Sequence, residues 1–169
     1  PNAGNPQKVQ RFPAEWAAAM RAMAEKNAEL FLPAHGLPIA GKDRIKGVLT
    51  DVAEALEFLV QETVVRMNEG MRLDDIVHEV KLDPAYLEKP YMQPTYDEPE
   101  FVVRNIWRLY GGWYDGNPAR LKPAKDRELA AEVATLAGGA SQLAERSLAV
   151  MQNNPRLACH LIEMAVQAE

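Results

Sequence analysis

One stretch of the chain limits its fold more than any other. From Lys42 to Gly70 there is no proline, and Ile45, Val48, Leu49, Val52, Leu56, Leu59, Val60, Thr63, Val64 and Met67 recur at three- and four-residue spacing. That is the period of one continuous helix with a single apolar side, and Gly70 is its natural stop. At 1.5 Å per residue the helix is about 40 Å long. A rod of that length dictates where everything else can lie. It suits the spine of a core within this chain, and equally a surface shared with another chain.

The flanking segments are shorter. Pro13 suits a first helical position, and Trp16, Met20, Met23, Ala24 and Asn27 follow at helical spacing, which predicts a helix over 13–29. Leu30, Phe31 and Leu32 then form a brief apolar run closed by Pro33, the pattern of a short buried strand, with a Gly/Pro loop after it. Helix, strand and loop in that order read as the last repeat of an α/β sandwich, whose one strand is expected to lack a partner in this chain. Leu73–Val80 reads as a short amphipathic helix. Pro84, Pro90, Pro94 and Pro99 then break the chain repeatedly, but Tyr86, Tyr91, Met92, Tyr96 and Phe101 are too apolar for a free linker. That loop is expected to pack on something. Helix resumes over 100–113, and three Ala/Leu-rich helices follow near 125–137, 139–152 and 155–168, separated by Gly138-Gly139 and Asn153-Asn154-Pro155. The fold class is therefore mainly α.

Composition narrows the function. Of 169 residues 47% are hydrophobic and 25% charged, a globular average that excludes a disordered or collagen-like chain. With 19 Lys+Arg against 24 Asp+Glu the net charge is −5, so no basic face is available for counterion release and nucleic acid is not an expected partner. No apolar run reaches about 18 residues, so no membrane-spanning helix is expected. The lone Cys159 rules out an internal disulfide, and its apolar neighbours predict a buried thiol.

Three histidines are available. His78 reads as an exposed helical residue. Cys159 and His160 are adjacent on a helix, where successive side chains point about 100° apart, so they cannot share a proton as nucleophile and base. His35 sits in a rigid loop between Pro33 and Pro38, directly after the strand, where α/β folds gather ligands. A ligand-facing histidine and one without a role both fit that position.

Two segments carry a family resemblance. Leu30–Gly41, Leu-Phe-Leu-Pro-Ala-His-Gly-Leu-Pro-Ile-Ala-Gly, resembles the final metal-binding loop of the metallo-β-lactamase fold. Tyr96–Ala119, with its Tyr-Gly-Gly-Trp-Tyr-Asp-Gly-Asn-Pro-Ala ending, resembles the alkyl sulfatase branch of that superfamily, as do the long helix and the helical tail. The resemblance implies two domains: residues 1–41 as the C-terminal edge of a metallo-β-lactamase domain, and 42–169 as a helical alkyl sulfatase dimerisation domain.

It also implies a binuclear zinc centre, in which His35 matches the last ligand of the final loop. Nothing in the chain matches the family's His-x-His-x-Asp-His motif, and a catalytic zinc needs three protein ligands, so the chain alone is expected to be inactive. Beginning Pro-Asn-Ala-Gly-Asn-Pro, it reads as part of a longer polypeptide that supplies the missing N-terminal catalytic portion. Tyr96 and Arg104 are the expected contacts to a small sulfate ester, with Arg108 one turn from Arg104, although the same arginines also suit a surface pair with Glu100. Asp97, Glu98 and Glu100 oppose an anionic substrate. Three functions follow as alternatives: a zinc-dependent hydrolase of sulfuric esters that forms a homodimer, a self-association module without catalysis, and a hydrolase of the same fold acting on another ester.

Overall fold

The structure is a computed structural model that describes residues 2–95 and 97–169. The chain divides into two compact units, Pro1–Asn117 and Pro118–Glu169.

The first unit is organised by the long helix. α1 (Pro13–Ala24) leads to β1 (Leu30–Phe31) and β2 (Ile39–Ala40), and α2 spans Lys42–Asn68. α1 ends five residues before the expected limit. Asn27 takes a φ of 51°, a left-handed conformation that asparagine tolerates and that turns the chain out of the helix. The strand at Leu30 does have a partner, contrary to the expectation from its sequence. β1 and β2 pair antiparallel, Leu30 with Ala40 and Phe31 with Ile39, so the loop between them closes a small hairpin. The period-2 signal of Ile39-Ala40 is too short to see in sequence.

α2 uses its whole length within this unit. Ile45 and Leu49 near its start pack with Ala24, Phe31 and Ile39 beneath the hairpin. Val52, Ala53, Leu56 and Leu59 then meet α3 (Leu73–Glu79) and α5 (Pro99–Gly111) through Ile76, Val77, Val103 and Ile106. Ile76 and Ile106 are fully buried, each stabilising the fold by about 1.5–3 kcal/mol relative to exposure. Gly70 stops α2 with a φ of 81°.

The proline-broken loop is anchored at Leu82 and Met92, which pack against the core, but is largely exposed between them, Tyr91 included, and it carries one short helix, α4 (Pro84–Leu87), started by Asp83 accepting from the Ala85 N–H at 2.9 Å. The N-terminal segment is stitched along α5. Gly4 N–H donates to Asp97 at 3.0 Å, and Asn105 Nδ2 donates to the Arg11 carbonyl at 2.9 Å. A Cβ on Gly4 would lie 2.3 Å from the Val102 backbone nitrogen, so only glycine permits this approach.

The second unit holds α6 (Asp126–Ala137), α7 (Ala140–Val150) and α8 (Pro155–Gln167), close to the expected spans. Left-handed Gly138 ends α6, and the Asn154 side chain caps α8 by accepting from Leu157 N–H at 3.0 Å. Its interior is built from Ala130, Ala134, Leu143, Ser147, Ala158 and Ala165.

Candidate functional site

His35 sits at the tip of the β1–β2 hairpin, exposed, between Pro33 and Gly36, which has a φ of 98°. Leu30, Leu32 and Leu37 of the same hairpin are also exposed. Among the described residues no three His, Cys, Asp or Glu side chains come together as a metal site. The buried polar atoms without a partner there, Asn2 Oδ1, Arg11 Nε, Thr63 Oγ1 and Asp97 Oδ1, are not on the hairpin. The residues present thus do not fit a complete zinc centre. They offer a single nitrogen donor.

Arg104 and Arg108 share a cleft of about 200 Å3 between α5 and the N-terminal segment, lined also by Gly4, Asn5, Pro6, Phe101 and Asn105. Two guanidinium groups on its lining are the chemistry that binds an oxyanion. Arg108 is partly committed, since its Nε donates to Gln10 Oε1 at 2.8 Å. Tyr96 lies outside the described residues. His35 is not among the residues that line the cleft, so the structure brings Arg104 and Arg108 together and leaves His35 elsewhere.

Two of the three opposing carboxylates are engaged in the fold. Glu100 pairs with Lys81 at 2.7 Å, and Asp97 accepts from Gly4. Glu98 precedes α5 without capping it.

The network that holds the proline-broken loop escaped sequence reasoning. Lys89 pairs with Asp51 of α2 at 2.7 Å, Tyr91 Oη donates to the same carboxylate, and Tyr86 Oη donates to Glu54 at 3.1 Å. Burial pushes the Asp51 carboxyl up, but the hydrogen bonds from Lys89 and Tyr91 and the charge of Lys89 together hold it below its usual value. The Tyr91 phenol is raised, chiefly by its bond to Asp51. No signal in the sequence couples residues about forty positions apart.

The remaining candidates are surface groups. His78 is exposed and lies 3.9 Å from Asp74. Cys159 is exposed rather than buried, because α8 turns the small Ala158 and Ala165 inward and leaves the thiol on its outer side. Trp107 packs against the core and donates to the Tyr114 carbonyl at 2.9 Å, whereas Trp113 lies past the end of α5 and is exposed.

Comparison with known proteins gives a consistent result. The family described as alkyl sulfatase dimerisation matches residues 72–169. A linear primary-alkylsulfatase from a Pseudomonas strain is 32% identical over 130 residues, 76% of this chain and 25% of the relative. An (R)-specific secondary-alkylsulfatase from Pseudomonas sp. is 29% identical over 140 residues, 80% of this chain and 21% of the relative. The chain therefore spans a quarter or less of the length of these relatives. A solved double mutant of the sec-alkyl sulfatase PisA1 superposes with a TM-score of 0.86 at 26% identity, over 99% of this chain and 28% of that one.

Proposed function

Because this chain belongs to the alkyl sulfatase dimerisation family, we propose that it is the self-associating part of a zinc-dependent hydrolase of alkyl sulfate esters. The observation that supports this most is the family match over the helical segment, joined to likeness with alkylsulfatases over most of the chain. In this reading residues 1–41 are the edge of a metallo-β-lactamase-type catalytic domain and 42–169 the dimerisation domain. His35 contributes one zinc ligand, and the other ligands come from the remainder of a longer polypeptide. Arg104, with Arg108 beside it, receives the sulfate group, and Tyr96 contacts the same substrate.

The chain's own residues would act by binding and positioning. Two arginines one helical turn apart can hold the sulfate oxygens, and Lys81 and Gly4 keep two nearby carboxylates occupied. A second reading, self-association without catalysis, is supported by the dimerisation family match over residues 72–169.

The test compares the longer polypeptide with its His35→Ala and Arg104→Ala variants. Loss of bound zinc together with sulfate release in His35→Ala, and a raised KM with zinc retained in Arg104→Ala, are the expected results. Unchanged zinc content in His35→Ala removes that residue from the metal site. Absence of sulfate release from every alkyl sulfate tried removes the sulfatase reading.

A further inference from the structure

Arg104 and Arg108 differ in how they are held. Both are exposed on α5 and line the cleft, while Glu100, one turn before Arg104, pairs with Lys81. Among the described residues Arg104 forms no hydrogen bond or ion pair, whereas Arg108 is docked through its Nε on Gln10 Oε1 at 2.8 Å. The orientation of the Gln10 amide is fixed by what surrounds it. Its Nε2 donates to the Arg11 carbonyl at 2.8 Å, and to the backbone carbonyl and Oδ1 of Asn105 at 3.1 Å each. Asn105 is buried, and its Nδ2 donates to the Arg11 carbonyl at 2.9 Å, which leaves Oδ1 as the atom facing Gln10. A flipped Gln10 amide would set its oxygen against three acceptors and its NH2 against a guanidinium, so Oε1 faces Arg108. A guanidinium held at Nε keeps the edge formed by its two terminal nitrogens, which takes two oxygens of an oxyanion in parallel.

We propose that Gln10 is a positioning residue of this cleft: it holds the Arg108 guanidinium ready to receive the sulfate group by its terminal edge. Little of the arginine's rotamer freedom is then left to lose on binding, and that raises affinity without a new contact. The inference rests on the reading of the cleft as the sulfate site, and names the residue that prepares it. Arg108 touches the sulfate and Gln10 acts through Arg108. Arg104 has no such hold and contributes its charge. The same hydrogen bonds pin the N-terminal segment to α5, so a role in holding that segment has to be separated from a role in aiming the arginine.

NMR of the 169-residue chain, titrated with sodium sulfate at constant ionic strength and read at the arginine Nε–H signals, tests the assignment. In the wild type the Arg104 and Arg108 signals should shift saturably. Arg108→Ala should weaken sulfate binding, read at Arg104, about tenfold, and Gln10→Leu about fivefold. The double variant should bind no more weakly than Arg108→Ala alone, because Gln10 has nothing left to aim. A further fivefold fall in the double variant overturns the positioning role, since Gln10 then acts through the segment. Unchanged binding in either single variant also overturns it and leaves the cleft to Arg104. A wild type without a saturable shift overturns the cleft as a sulfate site and the role of Gln10 with it. Should Gln10→Leu fail to fold, wild-type hydrogen exchange decides: slower exchange at Arg108 Nε–H than at Arg104 Nε–H supports the hold, and equal rates overturn it.

Discussion

Lys89 closes a 2.7 Å ion pair on Asp51, and through it the proline-broken loop is tied to the middle of the long helix. Tyr91 shares the same carboxylate, so one side chain on α2 anchors two positions of the loop. Both flanks of its pH dependence can be worked out from the directions of the shifts. Asp51 is held below its unfolded value, so its contribution is complete above about pH 4 and is lost as pH falls through the folded value. Lys89 and Tyr91 are both raised, so theirs is complete below about pH 10 and is lost as pH rises past their folded values. Thermal melts from acid to alkaline pH should show a plateau that Asp51→Asn lowers and flattens. An unaltered profile in that variant would remove Asp51 from the tie.

Cutting the tie should expose the loop before it unfolds the protein. In Asp51→Ala, residues 83–95 should become several-fold more susceptible to limited proteolysis near neutral pH, because proteolysis follows the local opening equilibrium. The helical signal should be almost unchanged. Cleavage elsewhere at the same rate as in this loop would indicate global loosening instead.

Gly4→Ala should detach the N-terminal segment from α5. The added methyl meets backbone at 2.3 Å, and backbone cannot step aside as a flexible side chain can. A loss of about 1–3 kcal/mol is expected from such overpacking. Chemical denaturation gives the number, and hydrogen exchange at Gly4 N–H shows whether its bond to Asp97 is the one lost.

Ile106→Ala removes a fully buried side chain from the contact of α5 with α2 and α3. A cost of about 2–5 kcal/mol follows from lost burial plus cavity. Denaturant melts should show it as a lower midpoint, and a change below 1 kcal/mol would contradict the packing described.

Asn154→Ala takes away the acceptor for Leu157 N–H at the start of α8. The expected loss is about 1 kcal/mol, since the freed donor is exposed and water can replace the cap. Restoration by Asn154→Asp would tie the effect to capping.

The elements of this protein are written locally. The unbroken period from Lys42 to Met67, the glycine at 70, and the Asn-Pro pair at 154 and 155 each state where a helix runs or ends, because helix formation depends on neighbours three and four residues apart. Pro13 marks the start of α1 in the same way. Its end depended on Asn27 entering a left-handed conformation, which many asparagines do not.

What joins distant segments was decided only by tertiary structure. Asp51 is one more exposed helical acid in sequence, and becomes an anchor when Lys89 and Tyr91 fold back onto it. Ile39 and Ala40 become a strand only because Leu30 and Phe31 lie alongside. Arg104 and Arg108 were one turn apart in any helix, yet the cleft beside them exists because Gly4 allows the chain to approach α5. Cys159 lies outside because α8 turns its alanines inward, a choice of face that an Ala/Leu-rich helix leaves open. Local sequence determines helices through short-range periodicity, whereas burial, pairing and shared carboxylates depend on which faces meet, and that is settled only when the whole chain has packed.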